Sequence, residues 1–365
     1  MKILYYIYGL NIGGAETFIY SVLSNIDTNK YHIDFALQSH NNRNTDLLRL
    51  CQEKDAKIYY VPAFYSSIFK SIKETENIIS KEGYDLIHIH QNAMINIAPI
   101  IAGKKCGIPI VMHSHNSLSN AGSLGKVIHI INRKIFASKV IRLACGKEAG
   151  KWMYGKLDYK IISNAILLNR YKFSEEYRQE IREKNNISSD ALVVGHIGRF
   201  VAAKNHDYIL DIFKRIAINN DALLVLVGDG QLKNHILDRV QSEGLAGKVI
   251  FTGNVDDAYK YYSAFDALLF PSLFEGLPFT LVEAQAAGLY CLVSTNVTKD
   301  VKVTDCVKYI ELDSPTTVWE KELVNCFKEA RDRKKIGDEM IGTAYDVEQM
   351  IVELERQYNL IVEKG

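Results

Sequence analysis

The sequence has only 6 prolines and 6 cysteines among 365 residues, and its formal charge of +1 shows no excess of either sign. With charged residues at 24% and hydrophobic residues at 47%, so little proline excludes a collagen-like, low-complexity or disordered chain. The cysteines Cys51, Cys106, Cys145, Cys291, Cys306 and Cys326 are scattered and form no C-x-x-C pair. They spell out neither a disulfide framework nor a zinc site, and a reducing compartment is expected. Three of them sit in apolar runs and read as small core residues. The apolar start at residues 1–8 reaches glycine and polar residues too early for a signal peptide, and no later apolar run approaches about 18 residues. These absences lead to the expectation of a cytoplasmic protein that can still work peripherally at the inner face of the plasma membrane.

What the chain does have is length for two cores. At 365 residues it exceeds the roughly 100–200 residues of one comfortable core, so two similar-sized domains with a cleft between them are expected. The near-zero charge hides a split: residues 1–165 hold 20 Lys and Arg against 12 Asp and Glu, and the rest holds 24 against 31. A basic first half suits an anionic partner, such as a membrane surface, a phosphorylated acceptor or a nucleic acid. No stacking motif or recognition helix accompanies the charge, so no nucleic acid is expected.

Short aliphatic runs at 3–8, 32–38, 57–61, 86–90, 108–113 and 140–145 end in turn residues and alternate with amphipathic stretches. A second series repeats the pattern at 192–197, 223–228, 248–251, 267–270, 290–294 and 307–310. Such alternation predicts an α/β chain of two Rossmann-like, doubly wound parallel sheets, with ligands at the carboxyl ends of the strands. Residues 160–166 lead into a charged helical run at 175–185, which sets the expected domains at 1–166 and 167–344. The helical pattern in 345–365 has no strand after it. It is expected to cross back to the first domain, although packing on the second fits the pattern about as well.

Several short motifs punctuate this frame. Gly13-Gly14-Ala15-Glu16 follows the first strand and opens a helix, so its glycines let backbone approach a ligand near a helix N-terminus. It lacks the G-x-G-x-x-G spacing of a dinucleotide site, and a merely structural turn is the plain alternative. His113-Ser114-His115-Asn116 stands at the expected end of the fifth strand, where a histidine can orient a hydroxyl or accept a proton at neutral pH. His88 and His90 alternate on another strand without metal-ligand spacing, and core or strand-end roles suit them better. In the second half, Gly198-Arg199 and Lys204 place a cation on each side of a loop, as a diphosphate leaving group requires when charge grows on it. Gly228 belongs to a tight strand-to-helix turn, Val227-Gly228-Asp229-Gly230.

The most specific stretch runs Phe274-Glu275-Gly276-Leu277-Pro278-Phe279-Thr280-Leu281-Val282-Glu283. Pro278 fits an early helix position, leaving the following N–H groups free to face an anion. Glu275 then lies in the loop and Glu283 about one turn into the helix, and each carboxylate can accept from vicinal sugar hydroxyls.

Taken together and in order, Gly-Gly-Ala-Glu, His-Ser-His-Asn, Gly-Arg…Lys, Gly-Asp-Gly and the paired glutamates resemble glycosyltransferase family 4, a GT-B family, and more loosely its capsular and exopolysaccharide branch. The resemblance covers nearly the whole chain. It implies a GT-B fold and retaining transfer, without a metal or other cofactor, from a nucleotide-sugar, expected to be a UDP-sugar. In it Arg199 and Lys204 bind the donor diphosphate, Glu283 the ribose and Glu275 the transferred sugar, with the backbone of Gly276, Leu277, Pro278 and Phe279 nearby. His115 matches the family's catalytic-site histidine better than His113, and Gly13 and Gly14 face the donor phosphate or the acceptor. No D-x-D metal motif is present, and Arg199 with Lys204 can replace a metal's charge.

The first domain then supplies the acceptor, a glycan or an undecaprenyl-diphosphate-linked glycan. Residues 126–142 mix Lys126, Arg133, Lys134, Lys139 and Arg142 with an apolar face, as an interfacial helix would, and residues 64–81 are a second candidate. An amphipathic helix packed on its own sheet is the alternative for each. Competing functions are a UDP-sugar 2-epimerase on the same fold and a non-catalytic nucleotide-sugar-binding subunit; a dehydrogenase has the least support.

Overall fold

The computed structural model describes the chain except residues 12, 117–121, 276, 330, 364 and 365, and at 219 and 362 it describes the backbone alone. The aliphatic runs become strands whose side chains are largely buried on both faces, as parallel strands covered by helices must be. Two compact units result, Met1–Ala165 with Ala344–Gly365, and Ile166–Thr343.

The first unit carries seven parallel strands, β1 (Lys2–Ile7), β2 (His32–Leu37), β3 (Ile58–Tyr60), β4 (Leu86–Gln91), β5 (Ile110–Ser114), β6 (Ile141–Ala144) and β7 (Lys160–Ile161), in the order β3-β2-β1-β4-β5-β6-β7. β1 lies between β2 and β4, with Tyr6 level with Ala36 on one side and Ile89 on the other. The strand order reverses there, so the carboxyl ends of β1 and β4 flank the switch point at which open α/β sheets bind ligands. The second unit repeats the plan with six parallel strands, β8 (Leu192–Ile197), β9 (Ala222–Val227), β10 (Val249–Gly253), β11 (Ala267–Phe270), β12 (Tyr290–Ser294) and β13 (Val307–Ile310). Their order, β10-β9-β8-β11-β12-β13, puts its switch point between β8 and β11.

Two features depart from the sequence pattern. β7 has only two residues, paired as Leu143 to Lys160 and Ala144 to Ile161, too few to show a period. β5 starts two residues later than its apolar run and ends at Ser114. The cause is Gly107, whose left-handed backbone (φ 71°) ends the helix Ala98–Cys106 while Ile108 N donates back to Gly103 O at 3.1 Å.

The last helix, Val347–Val362, buries Val347, Met350, Ile351, Leu354, Tyr358 and Ile361 against β1, β2 and the helix Gly14–Asn25. Their three- and four-residue spacing makes one apolar stripe, and each large apolar side chain contributes about 1.5–3 kcal/mol when fully buried. The Tyr358 hydroxyl lies 2.8 Å from that of Tyr5 and 2.7 Å from His88 Nδ1, which ties the helix to β1 and β4. Among the described residues no helix is long and apolar enough to cross a membrane.

Candidate active site

In the second unit the loops that leave β8, β9 and β11 are laced together at the carboxyl end of the sheet. Phe200 N donates to Asp229 O at 3.0 Å and Leu232 N to Phe200 O at 3.1 Å, joining the loops after β8 and β9. Gly228 allows this approach: its φ is +132°, and a Cβ there would stand 2.2 Å from Gly198 O. Leu273 N donates to Ala203 O at 2.8 Å and Asn205 Nδ2 to Pro271 O at 3.1 Å, which fixes the loop after β8 to the loop after β11.

These ties bring Lys204 to Glu275. The Lys204 ammonium lies 2.6 Å from Glu275 Oε1, with both side chains only 16% exposed, and 4.6 Å from the centroid of the Phe270 ring. Gly198 makes room for the lysine stem, since a Cβ there would meet Lys204 Cε at 3.2 Å. Arg199 is exposed beside them and forms no ion pair among the described residues. Beneath the loop, burial holds His196 well below the ordinary histidine range and His206 at about 4. Both are neutral at pH 7, so Lys204 and Arg199 carry the local positive charge.

Glu283 sits on the helix Phe279–Ala286. Pro278 takes the position just before that helix instead of an early position inside it, and its extended backbone (ψ 103°) makes it the cap. Gly276 lies outside the described residues; Leu277 and Phe279 are partly buried and Pro278 is buried. The Glu283 carboxylate accepts from the Tyr262 hydroxyl at 2.5 Å. Burial raises its pKa, while hydrogen bonds from Tyr262 and Tyr171 pull the other way. Two phenols, those of Tyr262 and Tyr171, face this carboxylate, and a carboxylate's further lone pairs can accept from a hydroxyl donor. Tyr171 and Tyr262 had no signal in the sequence, because an isolated tyrosine becomes a carboxylate partner only through tertiary contact.

The other motifs belong to the first unit. Gly13 precedes the helix Gly14–Asn25, and Glu16 reaches back to accept from Asn11 N at 3.2 Å. A Cβ on Gly13 would stand 2.8 Å from Glu16 Oε2, the far end of a flexible side chain at the third helical position. Gly14 O accepts from Asn164 Nδ2 at 3.0 Å.

The two candidate histidines differ. His113 lies inside β5 and is 0% exposed, which corrects the expectation of a ring at the open strand end: β5 runs on past it to Ser114. His115 follows the strand and is partly exposed, with Nε2 2.9 Å from His90 Nδ1.

Across β4 and β5 the histidines form a cluster that spacing along either strand does not reveal, with His90 level with His113. Burial depresses His88, His90 and His113 well below the ordinary range and His115 to about 3, so all four are neutral at pH 7. One ring nitrogen from each of His88, His90 and His113 lies within 4.8 Å of the others. A shared metal must lie near the plane of every ring, whereas His88 and His90 stack at 4.2 Å with 28° between planes, which sets their lone pairs side by side.

The second unit thus offers two cations and two carboxylates around one set of strand ends, suited to a diphosphate and polyhydroxyl ligand. A family model described as "Glycosyl transferases group 1" matches residues 177–302, and one described as "Glycosyltransferase Family 4" matches residues 12–146. EpsF of Bacillus subtilis, a protein assigned as a glycosyltransferase, is 28% identical over 100% of this chain and 97% of its own length. The Escherichia coli UDP-Gal:alpha-D-GlcNAc-diphosphoundecaprenol alpha-1,3-galactosyltransferase is 27% identical over 69% of this chain and 72% of its own. Anabaena HepE, solved in complex with UDP, has a similar fold, with a TM-score of 0.77 at 16% identity over 98% of this chain and 100% of that one.

Proposed function

The chain belongs to glycosyltransferase family 4 and is a glycosyltransferase of polysaccharide biosynthesis, and from that premise we propose that it moves a hexose or N-acetylhexosamine from a UDP-sugar to an undecaprenyl-diphosphate-linked glycan, with retention of configuration and without a metal. The observation that carries this reading is the largely buried Lys204–Glu275 pair at 2.6 Å, with exposed Arg199 beside it. As the bond from the anomeric carbon to the diphosphate oxygen breaks, negative charge grows on the diphosphate. Lys204 and Arg199 stabilise it there, and so supply the charge a metal would otherwise bring. The acceptor hydroxyl forms its new bond on the same face, and its proton passes to the departing diphosphate.

Glu275 accepts from hydroxyls of the transferred sugar, and its pairing with Lys204 at 2.6 Å keeps it aimed. Glu283 accepts from the ribose, with Tyr262 holding its other oxygen. The N–H groups that open the helix at Phe279 favour the phosphate through the helix dipole. His115, the histidine that follows the strand, positions the sugar, while His113 is sealed in the sheet; Gly13 and Gly14 serve the donor phosphate or the acceptor. A UDP-linked donor is supported by the names of the similar galactosyltransferase and of HepE with UDP. A lipid-linked acceptor is supported by the former, and an enzyme that uses one works at the inner face of the plasma membrane.

A thermal-shift screen over UDP-, GDP- and ADP-sugars tests the donor, since a ligand that binds only the native state raises the melting temperature. UDP-sugars are expected to give the largest shift, and Lys204→Ala and Glu275→Ala variants to lose it together with turnover. Folded variants that keep full turnover would remove these residues from the site. Incubating UDP-N-acetylhexosamines without acceptor is expected to leave the sugar unchanged by NMR; a new sugar isomer would instead indicate epimerisation.

A further inference from the structure

The helix Gly122–Phe136 in the first unit is turned inside out. On the side facing its own unit only Gly125 and His129 are buried, and the ties there are polar. His129 Nδ1 accepts from Met94 N at 2.9 Å and its Nε2 bonds to Trp152 O at 3.0 Å. Asn132 Nδ2 donates to Met94 O at 3.0 Å and Arg133 to Trp152 O at 3.1 Å. The apolar side chains point outward: Leu124 is 73% exposed, Val127 53%, Ile131 52% and Ile135 46%. Their spacing of three, four and four residues makes one stripe along the helix; the exposed Lys134 borders it, and the exposed Lys126 lies on the flank of the helix.

An outward apolar stripe on a helix whose inner face is hydrogen-bonded cannot be a misplaced core face, because turning the helix over would bury Lys134 and strip those backbone carbonyls of their donors. The sequence around it is basic, with Lys105 paired to Glu76 of a neighbouring helix at 2.7 Å. Between Asp85 and Glu148 the sequence has no acidic residue and eight basic ones. At the end of the helix, Phe136 walls a groove with Ile100 and Ile101, rimmed by Lys104, Lys105 and Lys139. The helix Ile68–Glu82 is the internal control: it buries Ile72, Ile78 and Ile79 in the ordinary way.

We propose that the outward face of Gly122–Phe136 is a docking surface for an anionic phospholipid bilayer, lying in the interface with Leu124, Val127, Ile131 and Ile135 among the acyl chains and Lys126 and Lys134 at the headgroups. Apolar insertion with cationic flanks is the chemistry that binds such a surface, and a protein with acidic residues there would be repelled. The inference deepens the reading of a lipid-borne acceptor, yet it rests on the helix itself and is separable from the sugar chemistry.

Co-sedimentation of the full-length protein with vesicles of pure phosphatidylcholine or of phosphatidylcholine with phosphatidylglycerol tests it. Binding to the anionic vesicles is expected, weakening in high salt. The substitutions Leu124→Glu with Ile131→Glu, both at exposed positions, are expected to weaken it by about tenfold or more, and Lys126→Glu with Lys134→Glu to remove the preference for the anionic lipid. UDP affinity by calorimetry is expected to be unchanged in both variants. If UDP fails to bind while the vesicles do, the donor reading falls and the membrane surface stands. No binding of the wild type to anionic vesicles overturns the proposal; if the same glutamates also split a dimer by light scattering, the stripe is a self-association surface.

Discussion

The two units share one plan of parallel strands around a switch point and put opposite chemistry at their strand ends. In the second, ionic groups gather: Lys204 and Glu275 pair at 2.6 Å and Arg199 stands exposed beside them. In the first, His88, His90, His113 and His115 gather as neutral rings, and the positive charge is spread over the outer surface. On the proposed reading the charged donor is gripped where loops are stapled around fixed ions, and the acceptor is met by the first unit. Substitutions at matched places in the two units should therefore fail in different ways.

The largest contrast is expected in catalysis. Glu275→Gln keeps the shape but gives up the charge facing Lys204, and a loss of about 10²–10³-fold in kcat is expected for removing such an electrostatic contact, with circular dichroism unchanged. Arg199→Ala, at an exposed position, is expected to raise the donor KM more than it lowers kcat. His113→Phe in the first unit is expected to change kcat far less than either. Steady-state kinetics with a saturating lipid-linked acceptor read all three.

Next in size is a purely conformational failure in the second unit. Gly228→Ala places a Cβ 2.2 Å from Gly198 O at a φ of +132°, and about 2–4 kcal/mol of stability is expected to be lost from strain and overlap. Urea unfolding of the variant measures it, and an unchanged midpoint would mean that the two loops are not held as described.

A smaller difference lies in acid. The four clustered histidines of the first unit, and His129 with them, titrate lower when folded than when unfolded, so the stability they contribute is present above the ordinary histidine range. It is lost as pH falls from about 6.5 toward 3, because the unfolded chain binds the protons. The second unit has two such rings, His196 and His206. Each unit holds one tryptophan, Trp152 and Trp319, so single-tryptophan variants report the units separately. The Trp152 signal is expected to unfold at the higher pH.

The smallest effect belongs to Glu283. Burial raises its carboxyl, so the native state binds that proton more tightly than the unfolded chain and loses stability as pH rises through and above the ordinary carboxylate range. Glu283→Gln, which can still accept from Tyr262, is expected to raise the melting temperature at pH 8 and leave it unchanged at pH 4, while weakening UDP.

Much of this comparison can be read in the linear chain. The aliphatic runs mark twelve of the strands, and the charged motifs lie at their ends because strand-to-helix turns are where α/β chains bind ligands. What the chain hides depends on partners distant in sequence. Residues 160 and 161 pair with β6 without any period of their own. His88, His90 and His113 meet across two strands, and Tyr262 finds Glu283 from another helix. The pattern in 345–365 leaves its side open, and Tyr358 places it through Tyr5 and His88. An amphipathic period in 126–142 gives the stripe but not its direction, which the inward bonds of His129 and Asn132 decide.

The most direct test of the donor grip is NMR of the product formed from a UDP-α-sugar and a lipid-diphosphate acceptor in excess EDTA. The proposed retaining transfer, with Lys204 and Arg199 in place of a metal, predicts an α-linked product at an undiminished rate. A β-linked product, or turnover abolished by EDTA and restored by a divalent cation, would contradict it.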